Sequence, residues 1–462
     1  MNELKKKFGL ITAICMVAGI VIGSGVFFKA APVFENNGGD MIKSLLTVLS
    51  VGVLMAICAY TFSILAGKYS NVNGLVDYAE YTVGDFHAYS IGWFMSVVYY
   101  PIIAATLSWV SSMYTCTLFN LSGDNVRLII AASYLILTFI MNMVAPRLAS
   151  KFQVSTTVIK LIPILTMAIA GTIIGLSNGQ TLENLTSGAE NISAGGGTGF
   201  FGAVVAFAFA YEGWIIATCI NAELHEPKKN LPRALILGTV VVIAVYLAYF
   251  VGVGSVLSSE EIIGATKENN LPQIAFTRLF GGNSVFGTIA YVFIIISCLG
   301  TTNGVMVATC RGFYALAARN QGPAPKKLAK LHDKWNMPVA SALIGFAIAA
   351  LWMLQLEFSI RGLMPTILAF SYDEVVIITL YALYIPIFVN MMIKSKELHP
   401  VKRFVFPALS LLACGFMIYA AFVAYDIKVF YYLIVFAVIM LIGIMFYRDK
   451  KGRTLFYRIF YK

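Results

Sequence analysis

Twelve apolar runs of roughly bilayer-spanning length constrain this chain more than any other feature. About twenty apolar residues cross a membrane as a helix, and the runs centre near residues 22, 54, 100, 136, 163, 210, 245, 298, 347, 378, 414 and 438. Backbone inside hydrocarbon must satisfy its own hydrogen bonds, so unwound segments survive there only under cover of protein or a polar cavity. The composition agrees: 59% of the residues are hydrophobic and 12% charged, against roughly 25% charged in a soluble domain. The third and eighth runs are the longest. The longest polar connections, about Leu176–Gly199, Ser258–Ser284 and Arg311–Met337, are each too short for a separate domain.

Two runs carry breaks in matching places. The first, from about Leu10 to Phe34, contains Ile20-Val21-Ile22-Gly23-Ser24-Gly25-Val26-Phe27; the sixth, from about Phe200 to Asn221, contains Phe207-Ala208-Phe209-Ala210-Tyr211-Glu212-Gly213-Trp214. At a rise of about 1.5 Å per residue both breaks fall near mid-membrane. Spans one to five and six to ten each open on a broken helix and run in opposite directions. This is the hydropathy signature of an inverted repeat, which points to a transporter's substrate site. Half-helix N-termini suit a carboxylate, and freed carbonyls suit an ammonium, so a zwitterion fits both ends. Taken alone, Gly23-Ser24-Gly25 also fits close packing of small residues between membrane helices.

The net charge of +11 is a topology signal and not a nucleic-acid footprint. With the N-terminus inside, twenty-five of the thirty-three Lys and Arg residues fall on inside segments. Seven fall outside (Lys29, Lys43, Arg127, Lys267, Arg278, Arg361 and Lys428), and Lys160 alone is in mid-span. That is the positive-inside distribution, and it places both termini in the cytoplasm. Lys5-Lys6-Lys7 before an apolar run imitates a secretory signal, but the run is too long and lacks an A-x-A site, so it reads as a retained first helix.

No cofactor or metal is expected. Cys15, Cys58, Cys116, Cys219, Cys298, Cys310 and Cys414 are scattered without metal spacing and read as small apolar filler. His87, His225, His332 and His399 lie in or near inside loops, far apart in sequence. Neither a zinc site, a Cys/His nucleophile nor a phosphate-binding glycine loop is present in the pattern.

Four ionisable residues fall at depth, where each costs at least about 2.5–3.5 kcal/mol and needs a reason. Lys160 stands ten residues into span five, about 15 Å from the inside edge, too deep for easy snorkelling. It reads as an ammonium bonded to carbonyls freed by the first break, or as half of a structural ion pair. Glu212 lies inside the second break. It can bond unwound backbone, attract a substrate amine, or carry a coupling proton, since burial penalises the ionised form. Asp373 and Glu374 interrupt span ten; they point about 100° apart, so they cannot face one small site equally.

These residues resemble a known family. Gly19-Ile20-Val21-Ile22-Gly23-Ser24-Gly25-Val26-Phe27 is similar to the first-helix motif of the amino acid–polyamine–organocation (APC) transporters. Phe207 to Trp214, with Asn221-Ala222-Glu223 and Lys229-Asn230-Leu231-Pro232-Arg233, resembles the sixth helix and following loop, nearest the branch of L-type amino acid transporters and serine/threonine exchangers. Thr309-Cys310-Arg311-Gly312-Phe313-Tyr314, with Ala317-Ala318-Arg319 and Gly322-Pro323, resembles the eighth helix and its loop. Two features depart from the family pattern: Asp373-Glu374 in span ten, and Tyr69-Ser70-Asn71-Val72-Asn73-Gly74, which lacks a proline before its glycine.

The resemblance implies an all-α LeuT-type fold across residues 1–462 as one domain. Its repeats would run about 9–176 and 200–393, followed by helices eleven and twelve over about 404–447. It implies that Ile22, Gly23, Ser24, Gly25 and Val26 meet a substrate carboxylate. Phe209, Ala210 and Tyr211, with Glu212 and Gly213 beside them, would meet the amine, Phe209 standing at an aromatic gate. Lys160 would stand in for sodium, and Glu212, Asp373 and Glu374 are the candidates for proton handling or gating. The expected activity is alternating-access transport of neutral amino acids across the cell membrane, by sodium-independent exchange or proton-coupled uptake. Polyamines or cationic amino acids are the alternative cargo, and a transport-dead sensor or assembly subunit the alternative role. The partners are then an amino acid, the lipid bilayer and, for coupled uptake, protons.

Overall fold

The computed structural model describes residues 9–69, 74–186, 199–215, 224–267, 270–333, 335, 337–369, 372–448 and 452. Lys5–Lys7, Asn71–Asn73, Cys219, Asn221–Glu223 and the side chain of Ile20 lie outside the described residues. Among those described the secondary structure is helical. Ten helices are long and apolar enough to cross a membrane, and two shorter apolar ones, Leu10–Gly19 and Gly199–Tyr211, supply the remaining expected spans.

The first span is three pieces: α1 (Leu10–Val21), α2 (Gly25–Phe28) and α3 (Ala30–Asn36). Longer spans follow as α4 (Met41–Lys68), α5 (Asp85–Leu118), α6 (Asn125–Val144) and α7 (Pro146–Asn178), the last with an interruption at Lys160. Short α8 (Gln180–Thr186) precedes the second broken helix, α9 (Gly199–Ala208), which tightens into a 3₁₀ turn over Phe209–Tyr211. Then come α10 (Pro227–Val256), α11 (Ser259–Lys267), α12 (Leu271–Leu279), α13 (Ser284–Ala317), α14 (Val339–Ile360), α15 (Tyr372–Lys394), α16 (Val401–Tyr425) and α17 (Lys428–Phe446). The third and eighth spans, α5 and α13, are the longest at 34 residues each. Two polar connections are partly helical, and α13 runs through Arg311 to Ala317, so the third connection begins later than the hydropathy suggests.

Sequence pattern explains how a helix such as α6 meets lipid. Ala131, Leu135, Thr138 and Asn142 recur at three- and four-residue spacing and are buried, whereas Ile129, Ile136, Leu137, Ile140 and Val144 are exposed. Small and polar residues face protein and large aliphatic ones face hydrocarbon, the arrangement expected where helices attract each other by close packing and hydrogen bonds.

The helices form two compact units. One comprises residues 1–75, 157–297 and 377–426; the other comprises 76–156, 298–376 and 427–462. Within the first, the C-terminus of α10 is closed by buried Asn184 of α8, whose amide donates to the carbonyls of Gly254 at 2.6 Å and Leu257 at 2.7 Å. Within the second, Asn142 donates to the Asn303 side-chain oxygen at 2.9 Å, and Asn303 donates to the Ala149 carbonyl at 3.0 Å. Tyr89 and Trp93 of α5 donate to the Gly443 and Ile439 carbonyls of α17.

These caps carry weight because carbonyls at a buried helix end otherwise lose their partners. Replacing Asn184 by Ala is expected to lower stability by about 1–3 kcal/mol. A reduced thermal unfolding midpoint of the detergent-purified protein checks this, with Gln180→Ala on the same short helix as the milder comparison.

Candidate functional site

The first break starts where the helical ladder stops. Ile22 donates to the Ala18 carbonyl at 2.7 Å and then leaves helical geometry at φ −65°, ψ 88°. Bonding resumes with Phe27 to Ser24 at 3.0 Å and Lys29 to Gly25 at 2.9 Å. The carbonyls from Gly19 to Ile22 therefore need donors from elsewhere. Lys160 meets the first of them, its Nζ donating to the Gly19 carbonyl at 2.6 Å while 2% exposed. Of the two roles open to Lys160, the geometry shows the bond to freed carbonyl. Pro163, lacking an N–H, interrupts the helical ladder at Lys160 itself.

The second break follows the 3₁₀ turn. Glu212 is extended at φ −79°, ψ 159°, and Gly213 takes φ +106°, a left-handed value that favours glycine. Gly25 draws the two breaks together: a Cβ there would lie 2.8 Å from the Ala210 Cα. Tyr246 of α10, buried and unforeseen from sequence, binds both. Its hydroxyl is 2.9 Å from the Val21 carbonyl and 2.9 Å from the Ala210 carbonyl. Only a tyrosine in a long apolar run marks it in the sequence, and Tyr249 three residues on looks the same.

Ile22, Gly23, Ser24, Gly25, Val26, Phe209, Ala210, Tyr211, Glu212 and Gly213 are all buried in the first unit, as is Lys160. Two buried hydroxyls on the breaks, Ser24 Oγ and Tyr211 OH, have no hydrogen-bond partner among the described residues. Such orphans are rare in native structures and call for a water, ion or ligand. Glu212, Tyr381 and Tyr384 of α15 are all buried in the first unit. Trp214 is fully buried beside Phe62 and Tyr384.

Lys29 departs from the sequence reading, which set it among outside loop charges. It is 6% exposed, with its ammonium 5.3 Å from the Phe209 ring centroid and 5.7 Å from that of Phe28. Phe28 and Phe209 meet edge to face at 5.5 Å. The helical turn that follows Gly25 carries this lysine inward, which hydropathy at the end of an apolar run does not reveal.

Asp373 and Glu374 belong to the second unit and stand in the first turn of α15 as described. A helix N-terminus favours anions, which gives both acids an ordinary structural reason. Asp373 borders a cavity of about 10 Å³ with Thr106, Trp352 and Gln355, room for one water and no amino acid. Sequence also missed Glu357, 1% exposed in the same unit, where it accepts from Trp109 Nε1 at 2.7 Å and pairs with Arg361 at 2.8 Å.

Comparison with known proteins agrees with this geometry. The family model described as "Amino acid permease" matches residues 8–446. The chain is 31% identical over 353 residues to the serine/threonine exchanger SteT of Bacillus subtilis (strain 168), covering 76% of this chain and 77% of that protein. It is 26% identical over 455 residues to the human b(0,+)-type amino acid transporter 1, covering 96% and 88%. Against the human cystine/glutamate transporter it is 25% identical over 348 residues, covering 74% and 66%. A match over nearly the whole chain, on a helical membrane protein whose first and sixth spans are broken, identifies a carrier and not an enzyme: the chain belongs to the amino acid permease family of the APC superfamily, with its LeuT-type fold.

Proposed function

We propose that the two breaks hold the backbone groups of an amino acid and that the protein exchanges neutral amino acids without sodium, with its N-terminus in the cytoplasm. The single observation that carries this is the buried Ser24 hydroxyl without a protein partner, between helix ends whose freed carbonyls are already partly claimed. Residues 22–26 then receive the carboxylate, and residues 209–213 the amine, with Phe209 covering the bound substrate. Spans one to five and six to ten act as inverted repeats within one functional domain. SteT, the serine/threonine exchanger, supports a small neutral cargo.

Lys160 takes the part of a fixed cation, because its ammonium already neutralises the Gly19 carbonyl end. Glu212 is the candidate proton carrier if uptake is coupled to a pH gradient, since it is a buried carboxyl in the second break. Counterflow in proteoliposomes with a serine, threonine, alanine, leucine, glutamate, lysine and putrescine panel tests the reading. Serine-class exchange that ignores sodium is the expected result, and absence of counterflow for every amino acid overturns it. An imposed pH gradient separates the modes: uptake that ignores it is pure exchange, whereas a gradient response lost in Glu212→Gln, with counterflow retained, is proton coupling.

Two substitutions give further checks. Lys160→Ala strips the donor from a buried carbonyl, a loss of about 1–3 kcal/mol at the break. Exchange is expected to fall at least about tenfold with membrane insertion unchanged, and wild-type exchange by the variant would exclude the role. Lys29, a buried cation against the Phe209 ring, is the group that would disfavour a second positive charge on a cargo covered by that ring. Lys29→Gln is therefore expected to improve competition by lysine relative to serine, on the order of tenfold. An unchanged lysine-to-serine ratio would show that its charge does not reach the substrate.

A further inference from the structure

The first unit contains a cavity formed by residues other than those of the breaks. Its volume is about 440 Å³, large enough for a small polar group. Three lysines reach it from three segments: Lys68 at the end of α4, Lys228 at the start of α10, and Lys402 at the start of α16. Glu397 is the one acid in its wall, and it forms an ion pair with Lys68. The Lys68 ammonium beside it holds the Glu397 carboxyl below the usual carboxylate range, so it is ionised at neutral pH and the wall carries a net positive charge.

The wall is amphiphilic in an ordered way. On α4, Tyr60, Ile64 and Lys68 recur every four residues and so share a face. On α10, Pro232 and Ile236 do the same, and the next residue of that ladder, Val240, is 54% exposed on the surface that faces hydrocarbon. The charged ends thus give onto an apolar track along the helices.

The frame is fixed. A Cβ at Gly67 would stand 3.4 Å from the Lys228 carbonyl, so the ends of α4 and α10 are in contact. Arg403 donates to the Met392 and Ile393 carbonyls, pinning the α15–α16 connection that delivers Glu397 and Lys402.

We propose that this cavity binds the phosphate headgroup of an anionic glycerophospholipid, with the acyl chains lying along the α4 and α10 track. Phosphate is the chemistry that a wall with three lysines and one already paired acid recognises, and basic pockets between membrane helices suit lipid headgroups. A free phosphate shares the anion but has no use for the apolar track, which is why lipid is the source assigned.

Native mass spectrometry of the purified full-length chain tests this, titrating phosphatidylglycerol against phosphatidylcholine, with inorganic phosphate as competitor. Phosphatidylglycerol adducts are expected to dominate. The Lys68→Gln/Lys228→Gln/Lys402→Gln triple variant is expected to lose that preference, by roughly fivefold for each lysine removed. Glu397→Gln acts in the opposite direction and strengthens phosphatidylglycerol binding, a change that a misfolded variant would not produce. Neutralising Lys326, Lys327 and Lys330 together, three lysines elsewhere, is expected to leave the preference intact. Equal loss in that control would reduce the effect to bulk surface charge and overturn the site. Full displacement by inorganic phosphate would assign the cavity to the free anion and overturn the lipid.

Discussion

Everything around the candidate site depends on one constraint: a carbonyl released from a helix inside hydrocarbon has to find a donor. The chain stops the α1 ladder at Ile22, and the helix's last four carbonyls lose their ordinary partners. Lys160 answers the first and Tyr246 the third, each from a different helix. A buried ammonium on a long stem and a buried phenol are costly to place in a membrane, and here the freed backbone gives each of them a partner. The break, the lysine and the tyrosine make sense only together.

Tight backbone approach is the second requirement. Gly25 lets the first break rest against Ala210, so the two sets of exposed backbone share one protein-covered space. The buried Ser24 hydroxyl stands on the first break without a protein partner, and the equally unpartnered Tyr211 hydroxyl reaches from the second break to Gly52 of α4. Aromatic rings pack in two groups within the first unit, Phe28 on Phe209 and Phe62 with Trp214 and Tyr384.

Much of this was legible in the residues. Apolar runs of bilayer length give the spans, and the Gly-Ser-Gly and Tyr-Glu-Gly interruptions mark both breaks, because hydropathy and glycine act locally. Lys160 was legible too, since a lysine in mid-span has few affordable partners. Tyr246 was not, because a tyrosine in an apolar helix packs well in many ways and only tertiary contact selects its acceptors. The burial of Lys29 is hidden for a related reason: a lysine in the outer part of an apolar run counts as an outside charge until the turn after Gly25 carries its side chain inward. For Asp373 and Glu374 hydropathy gives only their place in a span, and the contacts that would assign them a role are tertiary; they stand in the first turn of the described helix.

The Tyr246 hydroxyl has a single proton and two carbonyl neighbours at equal distance, one on each broken helix. It can commit fully to only one at a time. When one helix end draws away, the proton settles on the other, and the number of strong bonds stays the same. Relative movement of the two broken helices is therefore cheaper than it would be with a separate donor for each, and the cost of letting go on one side is repaid on the other.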